Sequence, residues 1–115
     1  MKLLVFVLNH HEKLDALLNE LESSGIGGAT ILDSTGMAKV LHSGDEEEIP
    51  LFGTLRTLLN PSREKSNTIL MVIRDEQCQI AVDAIERVVG DLHEKNAGIV
   101  FSVPIDFVKG LRGIE

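Results

Sequence analysis

The chain has 115 residues, a formal net charge of −7 and 43% hydrophobic residues. Its length fits one domain, residues 1–115, and its acidic balance disfavours binding to the phosphate backbone of nucleic acid. The single cysteine, Cys78, excludes an internal disulfide and fits a reducing compartment, and no apolar run is long enough to span a membrane. We therefore expect a cytoplasmic domain without a nucleic-acid partner and without membrane insertion.

The first third of the chain predicts a strand, a helix and a second strand. Residues 3–8 are continuously apolar, as in a central strand. Asn9 is a candidate N-cap for the helix that follows, and residues 23–25 end that helix. Residues 29–34 then predict a short strand. Four leucines share one face of the predicted helix: Leu14, Leu17, Leu18 and Leu21.

A long loop over residues 36–67 is predicted next, because the apolar pattern loosens there. Leucines at helical spacing within residues 51–59 predict a short helix inside this loop. An acidic run and nearby arginines make the loop a candidate surface for a protein partner, although such a run is more often simply solvated. The residues that we assign to partner binding are Asp45, Glu46, Glu47, Arg56 and Arg63.

The last third repeats the strand, helix and strand pattern. Residues 68–73 predict a buried strand, and Asp75 is a candidate N-cap for a helix whose apolar stripe runs from Cys78 to Leu92. Gly98 opens the fourth strand. Two such halves predict an α+β fold, the ferredoxin-like βαββαβ sandwich, in which both helices cover one face of a four-stranded antiparallel sheet. The other face would be buried by association.

Four segments of the sequence resemble, in the same order, segments of the P-II nitrogen regulatory and P-II-like family. They are Lys13-Leu14-Asp15, Gly25-Ile26-Gly27-Gly28, Gly36-Met37-Ala38-Lys39 and the stretch at residues 98–106. The resemblance covers nearly the whole chain. It implies a non-enzymatic homotrimer that senses a small anionic effector, such as ATP or ADP, between subunits. It also implies that the long loop regulates a partner such as a transporter or a metabolic enzyme.

The resemblance also implies an effector site, from which this chain departs at several positions. The effector-binding residues would be Gly36, Met37, Lys39, Gly98, Lys109 and Arg112. The family's glycine- and lysine-rich phosphate loop corresponds to residues 93–98, where only Gly98 is kept and Glu94 replaces a lysine. Gly110 stands where the family has a further arginine. Each charge-assisted hydrogen bond to phosphate is worth about 1.5–3 kcal/mol, so these losses together would weaken nucleotide binding.

Two other functions remain open from the sequence. His10 and His11, together with His42 and His93, are candidate metal ligands of a metal-responsive trimer resembling the CutA proteins. Adjacent histidines without a second pair at ligand spacing more often mark a solvated helix start. Alternatively, the predicted helix at residues 51–59 packs permanently over the cleft between subunits. The protein would then be an adaptor that binds only other proteins. The chain has no tyrosine, which excludes the uridylylation known in the family, and no catalytic triad or Walker loop stands out.

Overall fold

The computed structural model describes residues 1–37, 41 and 66–111. Its elements, in chain order, are β1 (Lys2–Leu8), a 3₁₀ turn (His11–Lys13), α1 (Leu14–Ser23), β2 (Thr30–Ser34), β3 (Ser66–Ile73), α2 (Gln77–Val89) and β4 (Ile99–Pro104). The predicted helix at residues 51–59 lies outside the described residues.

The four strands form one antiparallel sheet in the order β2-β3-β1-β4. β1 is central, and its residue Val5 pairs with Leu70 of β3 on one side and with Phe101 of β4 on the other. This order, with two helices between the strand pairs, confirms the predicted ferredoxin-like βαββαβ fold. β3 begins at Ser66, two residues before the predicted start.

The core lies between one face of the sheet and the two helices. Alternate residues of β1 and β3 point into it, as the two-residue period of a strand requires. Phe6, Met71 and Leu17 have no solvent exposure. The remaining members of this cluster come from both strands and both helices: Leu4, Leu8, Leu21, Ile26, Ile69, Ile73, Ala81, Ala84 and Ile85.

The opposite face of the sheet is apolar and carries no covering element in the described part of the chain. The register places on this face the residues that alternate with the core positions. The apolar ones are Leu3, Val5, Val7, Leu32, Leu70, Val72, Ile99, Phe101 and Val103, and Thr30, Ser34 and Thr68, on the β2 side, are polar. We call this surface the open face. Leu32 and Phe101 are exposed by 48% and 47% of their surface. This second apolar face explains why residues 3–8 are apolar without alternation.

The end of α1 follows directly from its sequence. Gly25 has a φ of +91°, the N–H of Ile26 donates to the carbonyl of Leu21 at 2.9 Å, and the N–H of Gly25 donates to Glu22 at 3.0 Å. This pair of bonds is the Schellman motif, which glycine favours because it has no Cβ. The buried side chains of Ile26 and Leu21 complete it.

Both predicted N-caps are wrong. The 3₁₀ turn has His10 as its N-cap residue, and α2 has Glu76. Asn9 instead accepts a hydrogen bond from Ser66, with the side-chain oxygens 3.2 Å apart, and Asp75 lies 2.9 Å from the N-terminal ammonium. This ammonium hydrogen-bonds and attracts the carboxylate, which lowers the pKa of Asp75. In each case the side chain that was predicted to cap the helix instead interacts with a group distant in sequence or at the chain terminus.

The sheet has two ends that position different parts of the candidate site. β1 and β2 finish, and β3 and β4 begin, at what we call the upper end. At the lower end β3 and β4 finish. Among the helices of the described ranges, none is long and apolar enough to cross a membrane.

Candidate functional site

The described residues of the predicted effector site fall at both ends of the sheet. Gly36 and Met37 follow β2 and Gly98 precedes β4, so all three lie at the upper end. Because β2 and β4 are the two edge strands, three strand spacings, about 14 Å, separate Gly36 from Gly98. Lys109 follows β4 and therefore lies towards the lower end. A single chain does not bring these residues together.

The other predicted residues lie outside the described part of the chain. They are Lys39, His42, Asp45, Glu46, Glu47, Arg56, Arg63 and Arg112.

Gly98 is fixed by packing inside the fold. Its φ is +118°, and a Cβ at this position would collide with the carbonyl oxygen of Val7 and lie 2.8 Å from Cε1 of Phe6. Only glycine avoids both the contact and the backbone strain. The absence of a side chain at Gly98 is therefore explained without a ligand.

Residues 91–98 form the turn between α2 and β4, and residues 93–98 of this turn correspond to the predicted phosphate loop. Four backbone N–H groups of this turn donate within the protein. Leu92 donates to Glu86 Oε2 at 3.1 Å and His93 donates to Asp91 Oδ1 at 2.9 Å. Glu94 donates to the carbonyl of Asp91 at 3.0 Å and Ala97 to that of Glu94 at 3.3 Å. Two of these four donors are thus bound by carboxylates.

A cavity of about 650 Å³ opens at the lower end, beside the start of β2. Residues 25–30 form one wall, and Val72, Arg74, Gln77 and Leu111 contribute to the rest. This volume lies within the range of small-molecule sites. Sequence analysis identified residues 25–28 only as a segment that resembles the family. The cavity forms because this segment approaches the end of β3, which is distant in sequence.

The wall of this cavity is held by Gln77. Its Oε1 accepts from the backbone N–H of Arg74 at 2.9 Å, and its Nε2 donates to the carbonyl of Gly25 at 3.5 Å. Nothing lies within 4 Å of the Cβ positions of Gly27 and Gly28, which leaves the adjacent space open. Arg74 also lines the cavity, and its guanidinium is paired with the Glu76 carboxylate at 2.9 Å. Apolar surface beside this ion pair and the open glycine backbone suits a small molecule with polar groups.

A polar cluster ties together the strand ends that flank residues 36–65. Asn67 is 2% exposed, and its Nδ2 donates to Asp33 Oδ1 at 3.4 Å. The Asp33 carboxylate can only accept, so it takes the Asn67 amide N–H as its donor. The Asn67 Oδ1 therefore accepts from His11, whose Nδ1 lies 3.1 Å away and acts as the donor. Thr68 Oγ1 donates to Ser34 Oγ at 2.9 Å. Sequence reasoning assigned Asn67 to the long loop and missed this cluster.

The histidines considered as metal ligands do not converge in the described residues. His10 and His11 lie at the upper end, where His10 Nδ1 is 3.5 Å from Glu12 Oε1, and His93 lies in the turn before β4. Across residues 1–37, 41 and 66–111, no group of three or more His, Cys, Asp or Glu side chains could hold a metal ion. Cys78 is half-buried and packs against the core.

Comparison with known proteins gives one match. The family model described as nitrogen regulatory protein P-II matches residues 1–115, the whole chain. No curated protein matches the chain at a significant level.

Proposed function

The chain belongs to the P-II nitrogen regulatory protein family, and from this premise we propose that it is a non-enzymatic homotrimer that senses a small anionic effector at the subunit cleft. Members of this family are regulatory signal-transduction proteins. We further propose that it acts in the cytoplasm and that residues 36–67 regulate a protein partner, such as a transporter or a metabolic enzyme.

The observation that carries this proposal is the open face. An apolar surface that spans all four strands is costly to leave in water, because burial stabilises by about 25 cal/mol per Å² of apolar area. Val5, Leu70 and Phe101 lie side by side across the centre of this face. Copies of the chain that face one another through their sheets would bury it.

Association would also complete the effector site. Within one chain the upper-end glycines and Lys109 lie apart, and the two edge strands are on opposite sides of the sheet. A neighbouring copy would bring one chain's β4 edge towards the other chain's β2 edge. The cavity at residues 25–30, which Leu111 of the same chain already reaches, would then lie in the cleft between the two chains. We propose that Lys109 and Arg112, on either side of Leu111 in the sequence, bind the effector there.

Substitution on the open face tests the trimer. Phe101→Asp places a charge in the proposed interface, and Ile80→Asp on α2 is a matched control because Ile80 is 46% exposed. In light scattering coupled to size-exclusion chromatography we expect wild type and Ile80→Asp to have the trimer mass, and Phe101→Asp a lower mass. A monomeric wild type, or an unchanged mass for Phe101→Asp, would contradict the proposal.

The effector is tested by a thermal-shift screen against ATP, ADP, 2-oxoglutarate, bicarbonate and cyclic dinucleotides. The chain has no Trp or Tyr, so the readout uses an external dye. An anion that raises the midpoint of wild type should stabilise the double variant Lys109→Ala with Arg112→Ala less. Equal stabilisation of both proteins would remove these two residues from the site.

A second candidate is a protein-only adaptor that binds no small molecule. It is favoured by the turn at residues 91–98, where four backbone N–H groups donate within the chain itself. No shift with any compound of the screen, together with a trimeric mass, would favour this candidate.

A further inference from the structure

Two backbone donors at the start of the turn at residues 91–98 are bound by carboxylates of the protein itself. A turn that binds phosphate directs free N–H groups at the ligand. Here the N–H of Leu92 is bound by the Glu86 carboxylate and that of His93 by the Asp91 carboxylate. A phosphate group would have to displace both carboxylates to reach these donors.

The charges around the turn oppose the same ligand. Three carboxylates lie in the turn or next to it, those of Glu86, Asp91 and Glu94. The turn itself contains one lysine, Lys95, to balance their negative charge. Like charges at contact distance repel, and a nucleoside triphosphate would add several negative charges at one point. Nucleoside polyphosphates therefore do not fit this part of the site.

We infer that Glu86 and Asp91 are specificity-determining residues: their carboxylates occupy the N–H donors of Leu92 and His93 and, together with the negative charge of the turn, exclude nucleoside polyphosphates. This inference rests on the proposed function. It narrows the class of effector to molecules that do not place a polyphosphate chain on residues 91–98. The cavity at residues 25–30, beside Arg74, is then the part of the site left for the effector.

The experiment uses the full chain labelled for amide NMR and titrated with tripolyphosphate and with Mg²⁺ and ATP. In wild type the amide signals of Leu92 and His93 should not move, because both donors are already bound. Calorimetry then compares the affinity of tripolyphosphate for wild type with that for Glu86→Gln combined with Asp91→Asn. We expect the double variant to bind about tenfold more tightly, a change of about 1.4 kcal/mol.

Asp83→Asn is the matched control, since Asp83 is an exposed carboxylate on α2 and accepts a hydrogen bond from Gln79 at 2.9 Å. It removes one charge, and together with Asp15→Asn, at an exposed position of α1, it equals the charge change of the double variant. The inference is overturned if either probe moves the wild-type Leu92 and His93 signals, or if the control pair gains as much affinity as the double variant. If the double variant does not fold, the wild-type titration alone decides.

Failure of this inference is distinguishable from failure of the proposed function. Polyphosphate binding at the turn would overturn the roles of Glu86 and Asp91 while leaving the trimeric regulator intact. A monomeric wild type would overturn the proposed function without moving the two amide signals.

Discussion

Replacing Gly98 by alanine should destabilise the protein strongly, because the substitution has two separate costs. A non-glycine residue at a φ of +118° carries backbone strain of about 1–3 kcal/mol. The Cβ would also press on the Val7 carbonyl and the Phe6 ring, and overpacking of this kind costs about 1–3 kcal/mol. We expect a combined loss of about 2–6 kcal/mol, a large part of the about 5–15 kcal/mol that stabilises a typical domain.

Two other glycines separate these costs. Gly90 has a φ of +89° with no atom within 4 Å of its Cβ position, so Gly90→Ala should show the strain alone. Gly28 has neither feature, and Gly28→Ala should change stability by less than about 1 kcal/mol. Chemical denaturation followed by circular dichroism, at one protein concentration, gives the three values. If Gly98→Ala were as stable as Gly28→Ala, the packing explanation of Gly98 would be refuted.

Three further predictions concern the core, the N-terminal ion pair and the polar cluster. Leu17→Ala should lower the free energy of unfolding by about 2–5 kcal/mol because Leu17 has no exposure, whereas Ile80→Ala should change it by about 0.5 kcal/mol or less; denaturant titration compares them. The ammonium of Met1 lowers the pKa of Asp75 in the folded protein. This ion pair therefore stabilises the folded protein above the pKa that Asp75 has in the unfolded chain, and the stabilisation is lost as the pH falls through the lower pKa of the folded state. Thermal midpoints of wild type and Asp75→Asn should therefore differ at neutral pH and converge in acid, and a constant difference would contradict the pairing. Asn67→Ala should cost about 0.5–1.5 kcal/mol in the same titration, since it removes the hydrogen bonds of a buried amide to the exposed partners His11 and Asp33, and an unchanged value would count against the polar cluster.

The elements of the fold were predictable because their signals are local and repeated. The helical spacing of the leucines in α1 and the glycine after it specify both a buried stripe and an end. The caps were not predictable, because Asn9 and Asp75 are engaged by groups distant in sequence, Ser66 and the N-terminal ammonium. A side chain at an N-cap position can hydrogen-bond either to the start of its own helix or to a group distant in sequence, and only the folded geometry shows which of the two interactions forms.

The candidate site was predictable in composition but not in arrangement. The sequence singled out Gly98 for its similarity to family members, whereas the fold gives that glycine a packing role against Val7 and Phe6. The replacement of a lysine by Glu94 hinted at a changed turn. The N–H groups of Leu92 and His93 donate to the carboxylates of Glu86 and Asp91. Hydrophobic periodicity does not reveal such hydrogen bonds between side chains and backbone.

The central position of β1 has a consequence for how the chain acquires its structure. β1 pairs with β3 along one side and with β4 along the other, so Lys2 faces both Ile73 and Pro104. Of the four strands, β1 is synthesised first and one of its partners, β4, is synthesised last, so one edge of β1 stays unpaired until β4 has been made. Pairings between strands this distant in sequence form slowly and leave strand edges exposed in the meantime. We expect the β1–β4 pairing to be the final step in the formation of the sheet.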